Sequence, residues 1–552
     1  MNPGTTQPDT SPRFARRDLL RMGLAGGGAL AATPLLGRLN GTPGGVSLQG
    51  TSGIDGDAPT DPPNIKRFDR PLAIPPVLAP VNRNGVDYYY LEQKPALAQV
   101  LPAPYPKTTL YTFNGTFPGP TIKQTRNGRR SVVVNKNSLP PGHPYSTHLH
   151  GSPSQPFYDG HPDDLTQVGD TKTYLYPNDQ SARTLWYHDH AMHQTADHVY
   201  RGLAGFFLQS PAAAEATQFG LSNLPSGDYD VPLLVSDMQF TPQGKLYFDD
   251  DGHDSLWGNV VLVNGVPWPR MQVNRAMYRF RILVGSASRG FDFKLSNNMP
   301  MTVIATDAGL MQHPVQTTTL RHGMAERYDV VIDFSKLTPG TKVTLLNTAG
   351  DEQMRDVMQF VVGTQDGPKF SIPSQLAELK LPAESSAVRT RNFRFERSGG
   401  EWVINGVPWD ERVVATPQVN TTEKWVFQNN SGGWFHPIHV HLVDFHILRR
   451  NGGRPKPYEA GLKDVAYVGA NETVEVLMNF RPAVQVDPNK PVLGKYVMHC
   501  HNTIHEDHDM MTEFDVRGQA AAGAQPAAHR RGMKPSMRGM KPSMMVQWEL
   551  RA

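Results

Sequence analysis

One short turn sequence is written three times along this chain. Asn114-Gly115-Thr116-Phe117-Pro118, Asn264-Gly265-Val266-Pro267-Trp268 and Asn405-Gly406-Val407-Pro408-Trp409 each follow a run of apolar or aromatic residues, and they stand 150 and then 141 residues apart. That period is the length of one β-sandwich domain rather than of a solenoid repeat. Three related domains are the simplest account of a 552-residue chain, and each is long enough to bury its own core. With 48 prolines and 50 glycines punctuating β-branched and aromatic runs, the chain reads as all-β. Segments such as Tyr278 to Leu283 and Tyr328 to Phe334 alternate in polarity as half-buried strands do.

Composition shifts mark the boundaries. The expected organisation is a signal and linker over 1–45, domains over 65–215, 228–368 and 388–517, and a basic, methionine-containing tail over 518–552. The heptapeptide Arg531 to Met537 recurs at Arg538 to Met544, which reads as a low-complexity disordered tail; its methionines also invite a copper-delivery reading. Arg16-Arg17-Asp18-Leu19-Leu20 ahead of a weakly apolar, glycine-rich stretch to Leu36 resembles a twin-arginine export signal, with a disordered basic N-terminus as the plain alternative. The expectation is an exported monomer, periplasmic or extracellular, that uses the twin-arginine machinery. The apolar stretch falls short of the about 20 residues of a comfortable membrane span. A balance of 54 basic against 51 acidic residues provides no field that would single out nucleic acid or an anionic membrane. A single cysteine excludes an intramolecular disulfide.

That cysteine, Cys500, sits among histidines. Half of the 20 histidines fall into four clusters: His148-Leu149-His150, His188-Asp189-His190, His436-Pro437-Ile438-His439-Val440-His441, and His499-Cys500-His501 with His505. Alternate residues of a strand share a face, so each His-x-His pair aims two imidazoles the same way. Four pairs supply eight imidazoles, a set that suits three closely held metal ions of the copper or zinc kind. His436 and Cys500 have the opposite parity. With His505 and Met510 they make a separate set on the far side of the same strands, two histidines, a thiolate and a weak axial thioether, which selects a blue copper ion.

These clusters, in this order and spacing, resemble the three-domain multicopper oxidases. The resemblance runs from about Tyr88 to Arg517. It implies three cupredoxin-like Greek-key β-barrel domains and four copper ions. By position, type 1 copper would take His436, Cys500, His505 and Met510, and type 2 would take His148 and His439. One type 3 ion would take His150, His188 and His501, and the other His190, His441 and His499. The stretches 439–445 and 502–511, with Trp434 two residues before His436, are similar to the bilirubin oxidases and their relatives, the bacterial spore-coat laccases and phenoxazinone synthase. The resemblance also gives Asp159 and Glu506 proton-handling roles at the oxygen-reducing cluster; their ordinary readings are a turn aspartate and a surface glutamate. Met498 and Met511 read as packing, and His143, His161, His193, His198, His253, His313, His322, His446, His508 and His529 as lone hydrogen-bonded or surface histidines.

The implied activity couples one-electron oxidation of organic reductants, namely phenols, aromatic amines or bilirubin-like tetrapyrroles, to four-electron reduction of dioxygen to water. Two alternatives stand beside it. One is oxidation of monovalent copper, manganese or ferrous iron, for which the stretch from Leu442 to Val497 lacks methionine-rich or acidic insertions. The other is a copper-free exported scaffold, which the full set of ligands disfavours.

Overall fold

A computed structural model describes residues 61–518, apart from 251–253, 351 and 411. The expected leader, nearly all of the tail, His253 and His529 lie outside the described residues. Among the described residues the regular structure is mostly strands, with a few short helices between them. Among the described residues no helix is long and apolar enough to cross a membrane.

The repeated turn folds the same way each time. Asn114 and Gly115, Asn264 and Gly265, and Asn405 and Gly406 all have positive φ, between 49° and 80°. Asn-Gly is favoured there because two successive left-handed residues match the twist of a tight hairpin. Each asparagine also reaches back to an earlier strand. Asn114 Oδ1 accepts from the Glu92 amide at 2.7 Å, Asn264 Oδ1 from Leu234 at 2.8 Å, and Asn405 Oδ1 from Arg394 at 2.8 Å.

Six sheets fall in pairs along the chain. In each third, two strand pairs run parallel and the rest antiparallel: Val86–Ala98 with Ser131–Asn137 and Gly119–Thr125 with Ala204–Ser210, Asp230–Phe240 with Met277–Val284 and Arg270–Arg275 with Asp356–Asp366, Ala387–Ser398 with Thr421–Asn429 and Val413–Ala415 with Met511–Val516. Parallel neighbours cannot be joined by a hairpin, so the chain crosses between sheets, as it does in Greek-key barrels. The inward faces of each pair bury a core, around Tyr89, Phe113 and Tyr187 in the first, Phe280, Phe334 and Phe360 in the second, and Phe395, Trp425 and Phe427 in the third. A smaller cluster of Trp186, Phe206, Leu234, Leu283 and Val465 draws on all three thirds.

Four strands and two helices position the histidines. β1 (Thr147–His150) pairs with β2 (Thr184–Asp189) in the first third, and β3 (His436–Val440) pairs with β4 (Gly494–Cys500) in the last. α1 (Thr195–Tyr200) follows β2, and α2 (Thr503–Asp507) follows β4 and packs against α1.

Candidate metal centres

Antiparallel register brings the histidines face to face. His148 lies opposite His188 across β1 and β2, and His439 lies opposite His499 across β3 and β4. The two strand pairs turn these side chains toward each other, so rings from different thirds of the chain stack: His150 on His439 at 3.7 Å between centroids, and His148 on His441 at 3.9 Å. Three donor groups result, each with its ligand atoms within 4.8 Å of one another: His148, His150 and His439; His150, His188 and His501; and His190, His441 and His499. All eight imidazoles are buried.

The outer ring nitrogens are tied down, which aims the inner ones. His148 Nδ1 donates to the Asp159 carbonyl at 2.6 Å, His188 Nδ1 to the Asp189 carbonyl at 2.7 Å, and His439 Nδ1 to the Asp464 carbonyl at 2.8 Å. His441 Nδ1 donates to the Asp159 carboxylate at 2.7 Å. The inner Nε2 atoms converge: His190 and His499 stand 3.2 Å apart, His441 and His499 3.3 Å, His148 and His439 3.4 Å. His150 is turned the other way. Its Nε2 is held by Asp464 at 3.1 Å, and its buried Nδ1 has no hydrogen-bond partner. Burial pushes the imidazoles of His148, His190 and His499 down to about 3, so each presents a lone pair at neutral pH.

The second donor set lies on the opposite face of β3 and β4, inside the last core. Cys500 pairs with Ile438 and packs with Val440, Met498 and Met510. His436 Nδ1 stands 3.4 Å and His505 Nδ1 3.8 Å from the Cys500 sulfur, and the two nitrogens are 3.2 Å apart. Here again the far nitrogens are occupied: His436 Nε2 meets the Ser431 hydroxyl at 2.8 Å, and His505 Nε2 donates to the Asp254 carbonyl at 2.7 Å. The Cys500 amide donates to the Met510 carbonyl at 3.0 Å, which ties the loop bearing that thioether to the end of β4. Burial raises the thiol well above its ordinary range. A bound cation is therefore what would make it a thiolate.

These donor sets fit copper: two imidazoles with a thiol beside a thioether, and a cage of neutral imidazoles whose facing nitrogens have nothing else to bind. Asp159 and Glu506 are both buried against the imidazole cluster. Asp159 touches His148 and His441, and Glu506 Oε2 lies 3.1 Å from His499 Nδ1 and Oε1 3.6 Å from His190 Nδ1. Burial drives the Asp159 carboxyl well above its usual range and pushes Glu506 up to about 7. Neither is a surface residue.

Sequence reasoning missed several contacts. Trp402 is buried and stacks on His505 at 3.8 Å, and Trp434 meets the same ring edge-on at 5.6 Å. Asp464 receives two bonds of 2.6 Å from Arg327, a residue of the middle third, while its main chain holds His439. A lone aspartate and a lone arginine carry no spacing signal that would have revealed this. Met498 and Met511 are buried packing residues. His161 and His322 are hydrogen-bonded as expected of lone histidines, to Glu513 at 2.9 Å and to the Glu326 carbonyl at 2.6 Å.

Two buried copper-type donor sets that share β3 and β4 define a redox metalloprotein. Three sequence models of the multicopper oxidase family match residues 96–213, 241–351 and 379–520. The chain is 40% identical over 488 residues to bilirubin oxidase from Albifimbria verrucaria, covering 82% of each protein, and 31% identical to a laccase from Bacillus subtilis (strain 168), covering 82% of this chain and 99% of the laccase. Its fold is similar to the crystal structures of a laccase from Pediococcus acidilactici (TM-score 0.73, 28% identity, covering 84% of this chain and 96% of that one) and of a multicopper oxidase from the hyperthermophile Aquifex aeolicus (TM-score 0.73, 26% identity, covering 81% and 99%). The chain belongs to the multicopper oxidase family. It is an all-β, cupredoxin-like oxidase that uses copper and dioxygen.

Proposed function

We propose that this enzyme oxidises phenols, aromatic amines or bilirubin-like tetrapyrroles one electron at a time and reduces dioxygen to two waters, with four copper ions. His436, Cys500, His505 and Met510 would hold the type 1 ion, His148 and His439 the type 2 ion, and His150, His188 and His501 with His190, His441 and His499 the type 3 pair. One observation carries this reading. Cys500 contributes its sulfur to one donor set, while its sequence neighbours His499 and His501 belong to the other, so a single residue of main chain joins them.

Copper bound in these sets would supply the one-electron steps and the four electrons that dioxygen needs. The protein's part is orientation and protons. Ser431 and the Asp254 carbonyl orient His436 and His505 through their outer nitrogens, and Trp402 and Trp434 cover the His505 ring. Making two waters consumes four protons inside a buried cage. Asp159, at His441 Nδ1, and Glu506, beside His499 Nδ1, are the groups able to hold them; a carboxyl at about 7 is poised between its two forms near neutral pH. The bilirubin oxidase and laccase likenesses support organic reductants. The Arg16-Arg17 leader supports export by the twin-arginine route.

Steady-state kinetics on the copper-loaded enzyme, with bilirubin, a dimethoxyphenol, monovalent copper and divalent manganese in parallel, test the substrate class. The organic reductants are expected to give the higher kcat/KM, and a large preference for the metal ions overturns the assignment. Metal analysis is expected to return four coppers per chain.

A further inference from the structure

A third arrangement of facing imidazoles lies outside both copper sets. His198, in α1, is buried, and His143 is half-buried in the segment before β1. His143 Nδ1 and His198 Nε2 stand 3.1 Å apart. That matches the separation between His436 and His505 and between His190 and His499, 3.2 Å in each case. The outer nitrogens are tied here too, His198 Nδ1 to the Asp189 carboxylate at 3.0 Å and His143 Nε2 to the Tyr111 hydroxyl at 3.3 Å. A carboxylate oxygen of Asp197 completes the group, with all three ligand atoms within 4.8 Å of one another.

We propose that His143, His198 and Asp197 bind a further divalent cation of the zinc or cupric class, separate from the oxidase coppers. Two imidazoles and one carboxylate suit such an ion and leave a position for water. The surroundings favour a built site. Gln194 Nε2 donates to the Gly142 carbonyl at 3.1 Å and Asn137 Nδ2 to the His143 carbonyl at 3.0 Å, which fixes the segment that carries His143 against α1. Burial, and then the neighbouring His198, lower the His143 pKa, so its ring offers a lone pair at neutral pH. Arg201 pairs with Asp197 and competes for its carboxylate. Through His198 the site lies one hydrogen bond from Asp189, the residue between His188 and His190, so an ion here would sit beside the imidazole cage without entering it.

The test uses the full-length, copper-loaded enzyme dialysed against zinc at neutral pH and desalted, with zinc and copper measured together by mass spectrometry. The expected result is about one zinc retained per chain with copper content and the blue absorption band unchanged, and release of that zinc on acidification, since a protonated ring cannot ligate a cation. His143→Gln and Asp197→Asn should each lose the zinc while keeping the copper and the blue band. Arg201→Gln, which frees the carboxylate, should retain zinc at lower concentrations than the parent. No retained zinc in the parent, zinc gained only as copper is lost, or zinc still retained in both ligand variants would overturn the proposal. Copper content and the blue band read the oxidase assignment separately in every sample.

Discussion

The two copper donor sets share β3 and β4 yet are held in different ways. The thiol-containing set takes all four donor side chains from the last third of the chain, His436, Cys500, His505 and Met510, with the Asp254 carbonyl behind His505 as its contact from the middle third. The imidazole cage needs β1 and β2 from the first third, β3 and β4 from the last, and Arg327 from the middle to hold Asp464. A site inside one core inherits the rigidity of that core's packing. A site at a junction depends on buried polar contacts between thirds, which are costly to leave half made.

The sharpest way to break this comparison is Cys500→Ala. It removes the sulfur of one set at the residue whose neighbours His499 and His501 belong to the other, so the blue band and oxygen uptake are expected to vanish while the cage, measured by copper content and paramagnetic resonance, keeps its metal. Retained oxidase activity would sink the scheme. Next in size is Asp464→Asn, which weakens the Arg327 clamp and the hold on His150. A loss of about 10–100-fold in oxygen-reduction rate or in copper affinity of the cage is expected, with the blue band intact. Should the blue band disappear instead, the two sets are not separable in the way the strand faces imply. Ser431→Ala sharpens the other side. Losing one buried hydrogen bond to His436 costs about 1 kcal/mol, and it should shift the blue band and its reduction potential while leaving cage copper unchanged.

The smallest expected effect lies away from both sets. Burial alone would raise the Asp230 carboxyl, but Arg281 and Arg279 outweigh it and hold it below its ordinary value. A carboxyl depressed on folding contributes stability that is present above its unfolded pKa and is lost as pH falls through the lower folded value. Asp230→Asn is therefore expected to lower thermal stability at neutral pH and to flatten its acid limb, with copper content unchanged. A melting temperature that keeps the parent's full dependence on acid would rule out this pair as a contributor.

Much of the site was legible because strand geometry converts sequence parity into sides. Odd-numbered His439, His441, His499 and His501 face the cage, and even-numbered His436 and Cys500 face the core, as alternation requires. The threefold Asn-Gly turn was legible because positive φ leaves few residue choices. Trp402 was not, since nothing in a strand's polarity tells which ring it will stack on. Glu506 had its proton-handling role through the resemblance alone, with a surface glutamate as the ordinary reading; its burial comes from α2 packing against α1. His143 and His198 each read as solitary because 55 residues separate partners that stand 3.1 Å apart.

The sequence by itself determined what is local: three repeats of one β unit, four histidine clusters with their alternating sides, and a cysteine between two histidines. Only the tertiary structure decided how rings from the first and last thirds stack into one cage, which carbonyls and carboxylates turn each imidazole, and that an arginine of the middle third secures the junction. The physical reason is range. Backbone alternation acts over neighbouring residues and is written in their order, whereas the hydrogen bonds that aim a ligand join residues such as Asp254 and His505, which the chain separates by 251 positions.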